Sequence, residues 1–457
     1  MIVMKFGGTS VGSKERFEQV YGLIERARQR SAPPLVVVSA MSGVTNALIE
    51  SANLAVRRDL EGALNQIEMV RNKHIDAVKG LLSKEKADLL LADLNGHLAE
   101  LESVLRGINY LGELSKRSID AVSSVGELLS SRVLAEYATA RGMQVTWLDA
   151  RKLVITDDNF GKANPDWKEI EKRAAQIAEL SKKGSTVITQ GFIGSTADGV
   201  TTTLGRGGSD YSASILGVAA GAKCIEIWTD VDGMMTADPR IVKNALPISE
   251  ASFQEASELA YFGAKVLHPL TIKPAVEKDI PVKVLNTMRP ESEGTLIQSK
   301  PSAVFGKDGK ARSVCAIASK KNITALFISS PRMLMAHGFL AKVFNVFDKN
   351  KTPIDLIATS EVSVSLTVDS TENLEAIRED LKELGELQVL HNTAIVTVVG
   401  RQFRERSGIA GEVFSALKDV NILVISGGAS EINLSFLVMA EDSDRAVQQL
   451  HAHFFDD

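Results

Sequence analysis

Within ten consecutive residues, Thr201-Thr202-Thr203-Leu204-Gly205-Arg206-Gly207-Gly208-Ser209-Asp210, the chain gathers three threonines, three glycines, one arginine and one carboxylate. An apolar run, Val187-Ile188-Thr189-Gln190-Gly191-Phe192-Ile193, precedes them, and a small-residue helical pattern from Tyr211 to Ala220 follows. The segment therefore reads as strand, glycine-rich loop and helix start. Glycine lets the main chain approach a ligand closely. The free N–H groups of a helix start favour anions, phosphate above all. Arg206 offers a planar fork to a carboxylate or phosphate, and Asp210 stands where a metal–phosphate complex or a substrate ammonium needs a carboxylate. The stretch lacks the Gly-Lys-Ser/Thr of a Walker loop, and Asp210 takes the place of the last glycine of G-x-G-x-x-G. An ordinary glycine turn capped by Ser or Asp would use similar residues.

The same grammar appears twice more. Ile2 to Phe6 reads as a buried strand, Gly7-Gly8-Thr9-Ser10-Val11-Gly12-Ser13 as a glycine and hydroxyl loop, and 14–30 as a helix, with Lys5 at the strand's end. Leu35 to Ala40 is a continuous apolar run, as expected of a parallel strand buried on both faces, and it ends in Met41-Ser42-Gly43-Val44-Thr45-Asn46. Strands ending in hydroxyl-rich turns that open helices describe the carboxyl edge of a doubly wound sheet, where ligands bind. Residues 46–115 are helical in composition. Val122 to Ser130 reads as the start of another helix, with Glu127 near its first turn, where a helix favours an acid in any case. Val145–Asp149, Lys223–Thr229 and Val282–Leu285 read as further strands. The acidic loop Thr229-Asp230-Val231-Asp232-Gly233-Met234-Met235-Thr236-Ala237-Asp238-Pro239-Arg240 is a nucleotide-edge or metal-edge candidate. Tyr261 to Pro269 closes a helix, setting Lys265 beside a glycine, and His268 reads as a structural hydrogen-bond donor.

Composition bounds these readings. The 457 residues suggest about three domains, and 44% hydrophobic with 24% charged residues is ordinary for a soluble globular chain. A net charge of −5 gives no footprint for nucleic acid. Two distant cysteines, Cys224 and Cys315, make neither a disulfide framework nor a metal cluster and fit a reducing cytoplasm. The chain opens directly on an apolar strand, so neither a signal peptide nor a membrane span is expected. His451 and His453 read as solvent-facing.

After a polar stretch at 291–310, taken as a linker, the sequence repeats. Residues 338–368 align without gaps to 408–438; Gly338/Gly408, Val343/Val413, Phe344/Phe414, Ser360/Ser430, Glu361/Glu431, Ser365/Ser435 and Val368/Val438 are identical. Each copy reads as β-α-β-β-α-β, the ferredoxin-like unit, with one apolar sheet face able to pair with its twin. Asp355 is matched by Ile425, so only the first copy keeps two acids, Asp355 and Glu361, suited to a cationic ligand. A carboxylate inside Ile354-Asp355-Leu356-Ile357 is costly if unpaired.

With these motifs in view, the chain resembles the aspartate kinases. Lys5-Phe6-Gly7-Gly8-Thr9-Ser10-Val11 is similar to that family's N-terminal signature. The likeness continues through Gly126-Glu127-Leu128, Thr201–Asp210, Trp228-Thr229-Asp230-Val231 and Phe262–Pro269, covering the whole chain. The stretches Gly338-Phe339-Leu340, Asp355-Leu356-Ile357 and Thr359–Val364 resemble the lysine-sensitive monofunctional branch. The resemblance implies an α/β amino-acid-kinase fold, a doubly wound and mostly parallel sheet, over 1–298. It implies two ferredoxin-like ACT units after it: a first at 323–391, inserted into a second made of 311–322 and 392–457.

It also implies ATP-dependent phosphorylation of the side-chain carboxylate of L-aspartate to 4-phospho-L-aspartate, the first step towards lysine, threonine and methionine, with feedback by lysine. Lys5 and Asp210 would stand at the phosphoryl-transfer centre. Arg206 would hold the substrate's α-carboxylate and Glu127 its ammonium, with Ser39, Thr45, Gly207, Gly208 and Ser209 around them. ATP, carrying Mg²⁺ that no protein ligand set need bind, would lie along Lys5, Gly7, Gly8, Thr229, Asp230, Met235, Arg240 and Lys265. Lysine would contact Met333, Phe339, Leu340, Asp355, Ser360, Glu361 and Val362. The chain departs from the family pattern at Met235 (commonly tyrosine), Asp232 (commonly proline) and Ala336 (serine in some lysine-sensitive members). The expected partners are L-aspartate, ATP, a lysine effector and a second copy in a homodimer or dimer of dimers, in the cytoplasm. A carboxylate substrate is already ionised at neutral pH and needs no general base, which fits the lack of a Ser-His-Asp arrangement. Alternatives are a glutamate-type amino-acid kinase, disfavoured for N-acylated substrates by Glu127, and a threonine-regulated aspartate kinase. A bare amino-acid sensor is opposed by Lys5 and Asp210, and a bifunctional kinase–dehydrogenase by the absence of a dinucleotide domain before Asp457.

Overall fold

The computed structural model describes the chain except for residues 263–266, 268, 303–312, 335–336, 429 and 457. The chain divides into two compact units, one of residues 1–234, 249–253 and 266–301, the other of 235–248, 254–265 and 302–457. The expected first domain of 1–298 is thus interrupted, because two of its segments pack with the second unit.

The first unit begins with β1 (Val3–Phe6), α1 (Lys14–Arg30), β2 (Leu35–Val38), α2 (Val44–Val56), α3 (Leu60–Leu81), α4 (Lys84–Leu111), α5 (Lys116–Ala140) and β3 (Val145–Trp147). It continues with α6 (Trp167–Lys182), β4 (Thr186–Gln190), β5 (Ile193–Ser195), β6 (Thr201–Thr203), α7 (Gly208–Ala219) and β7 (Ile225–Thr229). Then come β8 (Glu250–Ser252), α8 (Phe253–Phe262), nearly all of which belongs to the second unit, α9 (Pro269–Glu277), β9 (Val282–Asn286) and β10 (Thr295–Gln298). Eight strands form one sheet in the order β3-β4-β2-β1-β7-β9-β10-β8, parallel except for the β9–β10 pair. β1 and β2 are buried at every residue, which is why they read as unbroken apolar runs. β1 pairs with β2 on one side and β7 on the other, so the strand order reverses at β1 and opens a crevice at its carboxyl end.

Several elements differ from expectation. Thr201–Thr203 are not loop but β6, paired antiparallel with β5; the residues preceding the glycines are a hairpin strand. Glu127 is not near a helix start: α5 begins at Lys116, capped by Ser115, whose Oγ accepts from the Ser118 N–H at 3.1 Å. The expected linker 291–310 contains β10, because alternating Thr295 and Ile297 are fully buried against the sheet.

In the second unit, β11 (Val314–Ser329), α10 (Phe339–Lys349), β12 (Ile357–Thr359), β13 (Ser363–Val368), α11 (Leu374–Lys382) and β14 (Glu386–Gly400) are followed by α12 (Ile409–Ser415), β15 (Val424–Gly427), β16 (Asn433–Met439) and α13 (Ser443–Phe455). Among the described residues these six strands form one sheet, β12-β13-β11-β14-β16-β15. β11 and β14 run its whole breadth side by side, with register breaks on either side of Ile323. Asn322 and Asn392 take positive φ there, 61° and 56°, a conformation Asn tolerates better than most residues. One apolar core is built mainly from residues earlier in the chain, around Leu326, Val343, Leu366 and Ile377, and another mainly from later ones, around Val396, Val413, Phe436 and Leu450. The repeated glycines do the same job in each copy: Gly338 and Gly408 begin α10 and α12 with left-handed φ of 76° and 86°.

The segment 235–248 joins the later core through Ala237 and Val242. His451 is buried, against the expectation of a solvent-facing residue. Its Nε2 lies 2.9 Å from the Thr236 hydroxyl, because α13 turns that face onto the segment rather than to water. His453 is exposed.

Candidate active site

The crevice at the end of β1 is a cavity of about 700 Å³. Its wall includes Lys5, Gly8, Ser39, Thr45, Asp120, Ser123, Glu127 and the run Gly205–Asp210. Each group arrives on its own element. β1 delivers Lys5, the turn after β2 delivers Ser39, the start of α2 delivers Thr45, α5 delivers Glu127, and the β6–α7 turn with the start of α7 delivers Arg206 to Asp210. That turn needs glycine: Gly205 and Gly207 have φ of 78° and 69°, which side-chain-bearing residues rarely adopt. Gly126 serves α5 differently. A Cβ there would meet Ala40 Cβ at 2.9 Å and Val44 Cγ1 at 3.0 Å, so its absence lets the helix lie close on the β2–α2 turn and brings Glu127 into the crevice.

Lys5 Nζ lies 2.7 Å from Asp210 Oδ1, with both side chains almost buried. No other side-chain partner of Asp210 occurs among the described residues. A buried pair of this kind is a strong local field rather than a source of net stability, and here it lies in the cavity wall.

Glu127 is 3% exposed. Its Oε1 accepts from the Ala40 N–H at 3.3 Å, while its buried Oε2 has no hydrogen-bond partner. Burial pushes its pKa up to about 8, with the Ala40 N–H opposing. Such an orphan is expensive in a resting protein and marks a place where a ligand donor belongs. Arg206 is exposed and pairs with no carboxylate among the described residues, so its fork is available to a ligand.

Other expected site residues fall elsewhere. Gly7, whose N–H binds Trp228 O at 3.1 Å, and Thr229, whose hydroxyl binds Asp230 at 3.2 Å, lie in the first unit but outside the cavity wall. Met235 and Arg240 belong to the second unit; the Arg240 fork is engaged by the neighbouring Asp238 at 2.6–3.1 Å. Lys265, His268 and Ala336 lie outside the described residues. Asp232, without an expected role, accepts from Asn286 at 2.7 Å and pairs with Arg289.

In the second unit, Ser360, Glu361 and Val362 form the β12–β13 turn, with Ser360 Oγ 2.7 Å from Ser363 Oγ. Phe339 is buried in the early core, with Met333 and Leu340 packed against it. Asp355, a carboxylate among apolar neighbours, has partners within the protein. Its side chain is 1% exposed and its Oδ1 accepts from Lys320 Nζ at 2.9 Å and from the Tyr261 hydroxyl; its Oδ2 is buried without a partner. Lys320 also pairs with Asp369 at 3.0 Å and sits 4.5 Å from the centroid of the Tyr261 ring. A lysine side chain of the protein thus occupies one side of the carboxylate expected to receive an effector.

Sequence reasoning passed over Asp120, in the cavity wall, and Lys320; nothing in their local context separated them from helix and strand charges. Among the described residues there is no cluster of three or more groups able to hold a metal, and no helix long and apolar enough to cross a membrane.

This arrangement, a glycine turn at a helix start and a lysine at the switch point of a parallel sheet, goes with a match of residues 1–286 to the amino acid kinase family; residues 396–454 match an ACT domain. Lysine-sensitive aspartokinase 3 of Escherichia coli is 38% identical over 100% of this chain and 99% of its own length. Aspartokinase 1, chloroplastic, of Arabidopsis thaliana is 38% identical over 99% of this chain and 80% of its own. The chain belongs to the aspartokinase family. The crystal structure of E. coli aspartokinase III with aspartate and ADP, in the R-state, superposes with a TM-score of 0.84 at 37% identity, covering 100% of both chains. That of the same enzyme with lysine and aspartate, in the T-state, gives 0.81 at 37% identity, covering 100% of this chain and 99% of that one.

Proposed function

We propose that the chain transfers the γ-phosphoryl group of ATP to the side-chain carboxylate of L-aspartate, forming 4-phospho-L-aspartate, and that lysine inhibits it. The observation that carries this reading is the orphaned, buried Oε2 of Glu127 in the cavity that also holds the Lys5–Asp210 pair and Arg206, which pairs with no carboxylate among the described residues. A ligand with an ammonium and a carboxylate on one carbon satisfies Glu127 and Arg206 together. Its second carboxylate, already ionised, is the nucleophile, so the protein's work is positioning and charge neutralisation. Ser39, Thr45 and Gly207–Ser209 line the path between these groups.

Lys5 and Asp210 are assigned to the transfer centre, and Gly7, Gly8, Thr229, Asp230, Met235, Arg240 and Lys265 to the nucleotide. Magnesium, carried on the nucleotide, supplies further charge neutralisation; Asp210 is the carboxylate of the cavity chemically suited to face it. The catalytic part is assigned to 1–298, with one ACT unit at 323–391 and another made of 311–322 and 392–457. Lysine is assigned to the first of these, at Met333, Phe339, Leu340, Asp355, Ser360, Glu361 and Val362. The product feeds synthesis of lysine, threonine and methionine, and the assembly is a homodimer or a dimer of dimers in the cytoplasm.

The test is acyl-phosphate trapping as the hydroxamate with a substrate panel. Aspartate should turn over; succinate, which lacks the ammonium, should not. Succinate turnover equal to that of aspartate removes Glu127 from substrate recognition, and glutamate preferred over aspartate replaces the substrate. Inhibition by threonine and not lysine would replace the effector.

A further inference from the structure

Asp120 lines the cavity, yet its carboxylate is spent within the protein. The residue is 1% exposed. Oδ2 accepts from the Gly161 N–H and the Thr203 N–H, each at 2.9 Å, and Oδ1 accepts from the Thr203 hydroxyl at 2.7 Å. Three hydrogen bonds converging on one buried side chain form a rigid tie. The two partner segments are themselves joined, since the Ala163 N–H binds Thr203 O at 2.9 Å. Asp120 therefore fastens α5 to β6 and to the loop at 157–164. Along α5, Glu127 lies about two turns further on the same face, and both residues line the cavity. Along the other chain segment, Arg206 lies three residues after Thr203, inside the glycine turn closed by the Gly208 N–H on Gly205 O at 2.9 Å.

We propose that Asp120 is a positioning residue: it fixes Arg206 relative to Glu127, and so holds the substrate's α-carbon at the one distance from Lys5 and Asp210 that lets an aspartate-length side chain react. This rests on the assignment of Glu127 and Arg206 to the substrate's two charged groups. Asp120 touches no substrate; its effect passes through the tie to β6.

Asp120→Asn keeps the shape but turns one acceptor into a donor facing donors. In the full-length protein, this variant should raise KM for aspartate about tenfold or more, leave kcat within about threefold and leave KM for ATP unchanged. It should also narrow the kcat/KM preference for aspartate over glutamate. In an Arg206→Ala background the same change should raise KM less than about twofold, because its route of action is gone. A residue that only holds the fold together would act equally in both backgrounds. Thr203→Val removes one donor and should raise KM in the same sense by about threefold; it decides the matter by the same cycle if Asp120→Asn does not fold. An unchanged KM for aspartate, a loss confined to kcat, or full additivity with Arg206→Ala overturns the proposal. Arg206→Ala alone with a wild-type KM overturns the underlying assignment, which is a separate readout.

Discussion

The chemistry concentrates in two side chains whose environments work in opposite directions. Lys5 lies 2.7 Å from Asp210, and in the proposed reaction it would offer its charge to a transition state in which negative charge spreads over the transferred group. Lys5→Ala should therefore lower kcat by about a hundredfold or more while the circular dichroism spectrum is kept; a folded variant with near-normal kcat removes Lys5 from the mechanism. Glu127, in contrast, is pushed by burial to a pKa of about 8 from an ordinary 4.5, so without ligand it keeps its proton at neutral pH. Binding a substrate ammonium requires the carboxylate, so the affinity for aspartate should strengthen as pH rises from about 6 towards 8. KM for aspartate measured across that range should fall in the wild type and stay flat in Glu127→Gln. The same raised pKa has a signed effect on stability. Between 4.5 and about 8 the folded chain holds a proton that the unfolded chain has released, so stability from this group is lost as pH rises through that window. The melting temperature of Glu127→Gln should lack this component, and saturating aspartate should offset it in the wild type.

At the level of elements, α5 is the organiser, and its placement depends on what one face omits. Gly126 admits no Cβ without contacts of 2.9–3.0 Å to Ala40 and Val44. Gly126→Ala should cost about 1–3 kcal/mol by overpacking, read by denaturant unfolding, and should weaken aspartate binding by moving Glu127 away from the crevice; a variant with wild-type stability and KM would show that the helix has slack. Much of this element was legible in the chain, because Gly126-Glu127 is a local pattern, as are Lys5 before Gly7-Gly8 and Arg206 among its glycines. Loops that cradle ligands advertise themselves through residue types fixed by backbone geometry. The repeat was legible for a similar reason: two copies of one packing problem keep the same glycine at the same helix start. Asp120 was not legible, since its partners lie 41 and 83 residues away and an acid between Ile119 and Ala121 looks like any helix surface. The burial of His451 depended on a contact with Thr236, 215 residues distant. Thr201–Thr203 were misread because three hydroxyl residues beside glycines look like loop, while pairing with β5 makes them strand.

For the molecule as a whole, the proposed inhibition by lysine is thermodynamically a coupling free energy between the repeat and the cavity. Lys320 gives that coupling an internal competitor, since its ammonium already sits on Asp355 and Asp369. Lys320→Met leaves both acids to an incoming ammonium, so half-inhibition by lysine should move to a concentration several-fold lower, with uninhibited kcat unchanged; an unchanged or weakened response refutes the competition. Asp355→Ala should do the reverse. Removing one partner of a desolvated charge pair costs about 2–5 kcal/mol, enough to abolish inhibition at ordinary lysine concentrations. Glu431→Ala is the control in the second copy, where the carboxylate is two-thirds exposed beside Arg404 and should matter little. Loss of lysine sensitivity in Glu431→Ala but not in Asp355→Ala would place the effector in the other copy. Sedimentation at micromolar concentration tests the assembly, and a monomer there contradicts the dimer.

The two strands that run the whole breadth of the regulatory sheet also set an order in time. A chain emerges from the ribosome amino end first. The early half of β11, Val314 to Lys320, is made before its partner Ile395 to Gly400 exists. The later half of β11 pairs with β13 and with Glu386 to Leu390, so the sheet around it can close while the other half still waits. Until the final stretch of chain arrives, newborn molecules carry an open strand edge, the feature most prone to pairing with a neighbour. Translation pauses or truncations after Asn392 should thus yield aggregated nascent chains, whereas truncations before Val314 should not expose that edge at all.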